Sequence, residues 1–177
     1  MPLTSLFSQW LTGYTYRKKI TIQESQIPGS TDLTNFPVLV DITDADLKAC
    51  PTGLIENANG WDIRFTSSNG TTTLDHDIEG YNSFTGRLTV WVRIPTLSAT
   101  ANTYIYLYFG NPGISANSSS RNTWDPVYRG VWHLNGNIND GSTYNVSATN
   151  HNTADAGGHI LNGRDFLQAS SQYIEIP

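Results

Sequence analysis

Sulfur and positive charge are scarce in this chain. It has a single cysteine, Cys50, and a single methionine in 177 residues, and Lys and Arg together number 10 against 15 Asp and Glu. One cysteine excludes an intrachain disulfide, and with it the disulfide framework of a small secreted scaffold, although not export itself. Cys50 stands beside Pro51 with no His or acid arranged around it, so it reads as a packed or semi-exposed thiol and not a nucleophile. The formal net charge of −5 argues against a nucleic-acid partner, because binding phosphate needs clustered cations. The one basic run, Arg17-Lys18-Lys19, is short. No run approaches the roughly 18 apolar residues of a membrane-crossing helix. The start, Met1-Pro2-Leu3-Thr4, lacks the charged and apolar regions of a signal peptide.

Thr, Asn, Ser and Gly are abundant instead, with nine Tyr and five Trp, and charged residues make up only 14%. Few sulfurs and many Thr and Asn suit an exposed, oxidising location. The length allows one large or two small domains, and a domain of this size buries roughly 70% of its unfolded surface. Alternating apolar and polar residues predict strands. Tyr14–Ile22 alternates, and Phe36–Ile42 with its run Val38-Leu39-Val40 reads as a strand covered on both faces. The stretch Trp61–Asn111 organises the chain, with strands expected at Trp61–Thr66, Thr73–Tyr81, Arg87–Pro95 and Thr103–Gly110, joined by polar turns as an antiparallel meander. Within Arg87–Pro95 the pattern places Leu88, Val90, Val92 and Ile94 inward and Trp91 on the polar side. Thr43–Cys50 is the one expected helical turn, capped by Thr43. Ser115–Ser120 reads as a linker, and Gly130–Leu134, Gly163–Leu167 and Gln172–Ile176 as short strands.

Several of these pieces together resemble the DUF2341 family. They are Tyr16-Arg17-Lys18-Lys19-Ile20-Thr21-Ile22, Asn35-Phe36-Pro37-Val38-Leu39-Val40, Asp62-Ile63-Arg64-Phe65, Asp77-Ile78-Glu79-Gly80-Tyr81, Val90-Trp91-Val92-Arg93-Ile94-Pro95 and Tyr106-Leu107-Tyr108-Phe109-Gly110-Asn111-Pro112. The resemblance covers about residues 14–113. Residues 130–177 are similar to the opening of a concanavalin A-like, laminin-G-type domain, on Gly130-Val131-Trp132-His133-Leu134, Asn139-Asp140-Gly141-Ser142, Asn162-Gly163-Arg164-Asp165-Phe166 and Gln172-Tyr173-Ile174-Glu175-Ile176-Pro177. What the two imply is an exported, multi-domain, adhesive or glycan-binding parent of which this chain is a piece. The family resemblance supplies no catalytic residues.

The expected architecture is therefore all-β. A jelly-roll-type antiparallel sandwich over 1–113 is followed by a linker at 114–124 and, over 125–177, by the start of a concanavalin-like sandwich.

Two groups of residues carry candidate chemistry. Asp75, Asp77 and Glu79 share one face of a strand by their period of two. They read as a solvated or ion-paired acidic face, as ligands for a divalent cation, with calcium preferred by hard oxygens, or as the carboxylates of a retaining β-glucan hydrolase. Such an enzyme needs its acids about 5–5.5 Å apart, and Asp75 is one methylene shorter than the Glu that chemistry uses. The second group is Tyr104, Tyr106 and Tyr108, with Trp91 on a neighbouring strand, which could stack sugar rings or could pack against other structure. Asp140 with Asn139 and Ser142 reads as a polar turn before a calcium loop, His133 as a satisfied structural histidine, and Asp62 with Arg64 as a surface ion pair.

The leading expectation is a non-catalytic, carbohydrate-binding or adhesive module outside the cell, with a glycan or surface polymer as partner. An alternative is a structural subunit that assembles into oligomers through open sheet edges, donating Ser5–Leu11 or Tyr173–Ile176.

Overall fold

The computed structural model describes residues 10–177. Among these residues eleven strands run in chain order: β1 (Tyr16–Ile22), β2 (Leu33–Thr43), β3 (Arg64–Thr66), β4 (Thr73–Leu74), β5 (His76–Asn82), β6 (Arg87–Leu97), β7 (Thr103–Phe109), β8 (Thr149–His151), β9 (Ala154–Gly157), β10 (Asn162–Asp165) and β11 (Tyr173–Glu175). Among the described residues there is no α-helix, only short 3-10 turns. The protein is all-β, with two antiparallel sheets facing one another across the core.

The first sheet has the order β1-β7-β3-β4 and the second β2-β6-β5. Their inner faces follow the period of two. Leu88, Val90, Val92 and Ile94 of β6 are buried, as the alternation predicts, and meet Phe65, Leu74, Ile105, Leu107 and Phe109 of the other sheet in one cluster. Covering both sheets on one face only leaves two outer faces, and those carry the polar and aromatic residues discussed below.

The expected meander does not form. β3 and β4 pair as a hairpin in the first sheet, the chain crosses at Asp75, β5 and β6 pair in the second, and β7 returns to the first. Alternation states which residues face the core but not which sheet a strand joins, since both sheets offer the same apolar face. The helical turn also differs. It is a single 3-10 turn, Ala45–Leu47, whose cap is Asp44 accepting from the Asp46 amide, while Lys18 bridges Asp44 and Asp46 at 2.7 and 2.8 Å.

The Ser-rich stretch expected as a linker is packed. Ser120 donates its amide to the His76 carbonyl at 2.8 Å, and Ser119 Oγ accepts the Ile78 amide at 3.0 Å. Short polar side chains let this segment lie along the edge of β5 and satisfy backbone groups that an edge strand otherwise exposes. Gly130–Leu134 is not a strand; Trp132 makes only an isolated bridge to Asp140. The C-terminal residues form two two-stranded ribbons, β9–β10 and β8–β11. They are tied to the sandwich where Arg87 Nη2 donates to the Ile160 carbonyl at 2.9 Å and where Leu161 lies over Gly80. Ser5–Leu11 lies almost wholly outside the described residues, and Trp10 and Leu11 are not in a strand.

Candidate functional site

β5 pairs with β6 in register from His76↔Val92 to Ile78↔Val90, then slips, so that Gly80 faces Thr89 and Glu79 is the extra residue of a bulge. Asp77 and Glu79 both stand on the outer face beside Trp91 of β6. The 117–141 segment folds over them and brings Trp124 and His133 into contact. His133 Nε2 lies 3.0 Å from Asp77 Oδ2, and its Nδ1 lies 3.3 Å from Glu79 Oε2. Trp91 Nε1 donates to Glu79 Oε2 at 2.7 Å and Trp124 Nε1 to Asp77 Oδ2 at 3.1 Å. The rings also touch: Trp91 and Trp124 centroids are 5.3 Å apart, and His133 lies 5.6 Å from Trp124.

Electrostatics follows from this packing. Burial works to lower the His133 pKa, but the hydrogen bonds and charges of Asp77 and Glu79 outweigh it and raise it to about 9. Burial likewise works to raise both carboxyls, yet the bonds from His133 and the two indoles hold each below its ordinary value. An imidazole can donate at both nitrogens only as the cation, so the unit is an imidazolium between two carboxylates.

Beside it opens a polar cleft of about 410 Å³. Its walls are side-chain amides and hydroxyls from Asn117, Ser119, Ser120, Asn135, Asn137 and Asn139, and Arg121 also lines it. Asn135 is anchored by donating to the Glu79 carbonyl at 3.0 Å, whereas Asn137 and Asn139 are exposed. Asp140 shapes the rim from within. Burial works to raise its carboxyl, but amides of Val131, Val146 and Ser142 and the Ser142 hydroxyl hold it below the ordinary range. Its oxygens are committed to a turn, the first of the two readings its sequence offered.

Asp75 does not join this cluster. It is exposed and lines a separate depression with Arg64, Thr73 and Ser118. Asp77 and Glu79 are occupied by His133, and among the described residues no group of three or more His, Cys, Asp or Glu is arranged to hold a metal ion. Asp62 and Arg64 do not pair at the surface. Asp62 is fully buried and accepts amides of Glu56, Asn57 and Gly110 at 2.9, 3.1 and 3.0 Å, while Arg64 donates to the carbonyls of Trp61 and Ile63.

The aromatic candidates are also divided. Trp91 is on the outer face of the second sheet, whereas Tyr104, Tyr106 and Tyr108 are on β7, on the outer face of the first. Tyr108 is fully buried, its hydroxyl donating to the Gly70 carbonyl at 3.0 Å and accepting from Arg17 Nη1 at 3.0 Å. Trp124, Asn135 and Asn137 are not singled out by the sequence, and Asn139 is singled out only as part of the Asp140 turn. The only sequence signal was an isolated His within an apolar run opposite an Asp-x-Glu strand, which no spacing rule connects.

Residues 59–153 match the family described as Domain of unknown function (DUF2341). The chain belongs to that family. The matched span is more than half of the chain and contains every member of the His133 cluster. For this DUF2341 chain it begins later than residue 14 and ends later than residue 113, running through the Ser-rich stretch into the residues expected to open a concanavalin-like domain. Nothing in the comparisons supports that second domain. No curated protein and no solved structure matches the chain.

Proposed function

We propose that this chain is a non-catalytic, carbohydrate-binding or adhesive module of a secreted or cell-surface protein, and that the cleft beside His133 receives a neutral glycan. The carrying observation is the cleft itself, where amides and hydroxyls of six side chains surround a floor whose two carboxylates are both ion-paired to His133. Such groups exchange hydrogen bonds with sugar hydroxyls without a net charge to satisfy. The location rests on composition and on the family resemblance. The concanavalin-like reading of 125–177 rests on sequence resemblance alone.

A hydrolase is the less favoured reading. A glycosidase needs one carboxylic acid whose pKa is raised so that it can donate a proton, and here Asp77 and Glu79 are both held low. Calorimetric titration with a panel of neutral oligosaccharides tests the proposal. Binding that is weakened by Asn137→Ala or Asn139→Ala supports it, and absence of heat with every glycan counts against it.

A second reading is assembly through open strands. Its support is the C-terminal ribbons, which expose Phe166, Leu167, Tyr173 and Ile176 and have only two strands each; isolated two-stranded ribbons are marginal in water. Mass that rises with concentration in light scattering would favour this reading, and a constant 19.5 kDa species would oppose it.

A further inference from the structure

The outer face of the first sheet differs in charge from the rest of the molecule. The register places Arg17 and Arg64 on either side of Tyr108, Lys19 and Thr66 on either side of Tyr106, and Thr21 beside Tyr104. No Asp or Glu stands at an outward position of β1, β3, β4 or β7, in a chain whose net charge is −5. The opposite outer face, by contrast, mixes both signs, with Asp41, Asp77 and Glu79 beside Arg87, Arg93 and His133.

Cations and rings are interleaved on this face. The Arg17 guanidinium lies between Trp10 and Tyr106, 4.4 and 4.3 Å from their ring centroids, and Lys19 Nζ lies 4.1 Å from that of Tyr104. Trp10 and Tyr104 remain 45% and 37% exposed, and Lys19 is exposed beside them. The face thus offers apolar ring area and an ammonium within one side chain's reach of each other.

We propose that this face is a second binding surface, for an acidic glycan built of uronate sugars. Each uronate ring carries a carboxylate for Lys19 and an apolar C–H face for an exposed aromatic ring, and this face presents both together. A nucleic acid would need more cations than this acidic chain supplies, and an acidic peptide has no ring face to stack. The proposal is independent of the cleft, which lies on the other side of the sandwich.

Titration of the full chain with oligogalacturonate, followed by tryptophan fluorescence and calorimetry at low and high salt, tests it. Binding is expected to weaken with salt, and Lys19→Glu is expected to reduce it about tenfold or more with an unchanged melting temperature. Asn139→Ala should leave it unaltered. No binding at low salt, insensitivity to Lys19→Glu, or equal affinity for poly-glutamate would overturn the proposal. If Asn139→Ala abolished uronate binding, the ligand would sit in the cleft, which overturns this surface and not the cleft.

Discussion

His133 Nε2 meets Asp77 Oδ2 across 3.0 Å although the two residues are 56 apart in the chain, and the other ring nitrogen meets Glu79. This bond fastens the 130–135 segment to the outer face of the second sheet. It also places one positive charge between two carboxylates on neighbouring outward positions of one strand, which offsets their mutual repulsion in a half-buried setting.

His133→Gln is therefore expected to destabilise the protein by roughly 3 kcal/mol, the usual loss when one partner of a buried ion pair is removed. Urea unfolding at pH 6 measures it. A loss within about 0.5 kcal/mol would place the interaction with exposed, solvent-screened pairs instead.

Two histidines with opposite shifts predict the pH dependence. The folded pKa of His133 is raised to about 9, so its contribution is full below its unfolded value near 6.5 and is lost as pH rises through 9. The folded pKa of His76 is lowered to about 4, chiefly by burial. Its contribution is full above about 6.5 and is lost as pH falls toward 4. Stability should then peak near pH 6.5. His133→Gln should flatten the alkaline limb alone, and His76→Gln the limb between pH 6.5 and 4.5, above the range in which the lowered carboxylates titrate. An alkaline limb unchanged by His133→Gln would refute the assignment.

The sequence showed the inward row of β6 because each of its residues obeys a local period. It also placed Asp77 and Glu79 on one outer face, since that too is local. The partner that gives them meaning was not legible. His133 arrives through a loop with no periodicity, and Ser118–Ser120, composed like a linker, is held by hydrogen bonds to β5 that composition does not encode. The tyrosine row was read correctly as one face of one strand, but its union with Trp91 failed because sheet membership depends on long-range pairing.

Asp62 gives a prediction about folding and not binding. Its carboxylate gathers amides from the 56–57 turn and from Gly110 after β7, so it joins two loops from inside the protein. Asparagine keeps one acceptor oxygen but points an NH2 at the other amides. Asp62→Asn is expected to cost about 2–4 kcal/mol, as two or more charge-assisted bonds are lost and buried amides go unpaired. Thermal unfolding measures it, and a melting temperature within a degree or so of the parent would mean the loops are held otherwise.

The C-terminal ribbons should open before the sandwich does. They hold no member of the main apolar cluster, and sparse burial is what makes a region open at low free-energy cost. Their docking depends on the Arg87 bond to the Ile160 carbonyl and on Leu161 lying over Gly80, where even one methyl group would come within 2.6 Å of Leu161 Cδ1. Leu161→Asp removes the apolar half of that contact and brings a carboxylate up to the bulge beside Glu79. Amide hydrogen exchange is expected to accelerate at least about tenfold across β9 and β10, equivalent to a loss of roughly 1.4 kcal/mol of local stability. The amides of β6 and β7 should exchange at their parental rates. Uniform acceleration through both sheets would instead mean that ribbons and sandwich unfold as one unit, with Leu161 part of the global core.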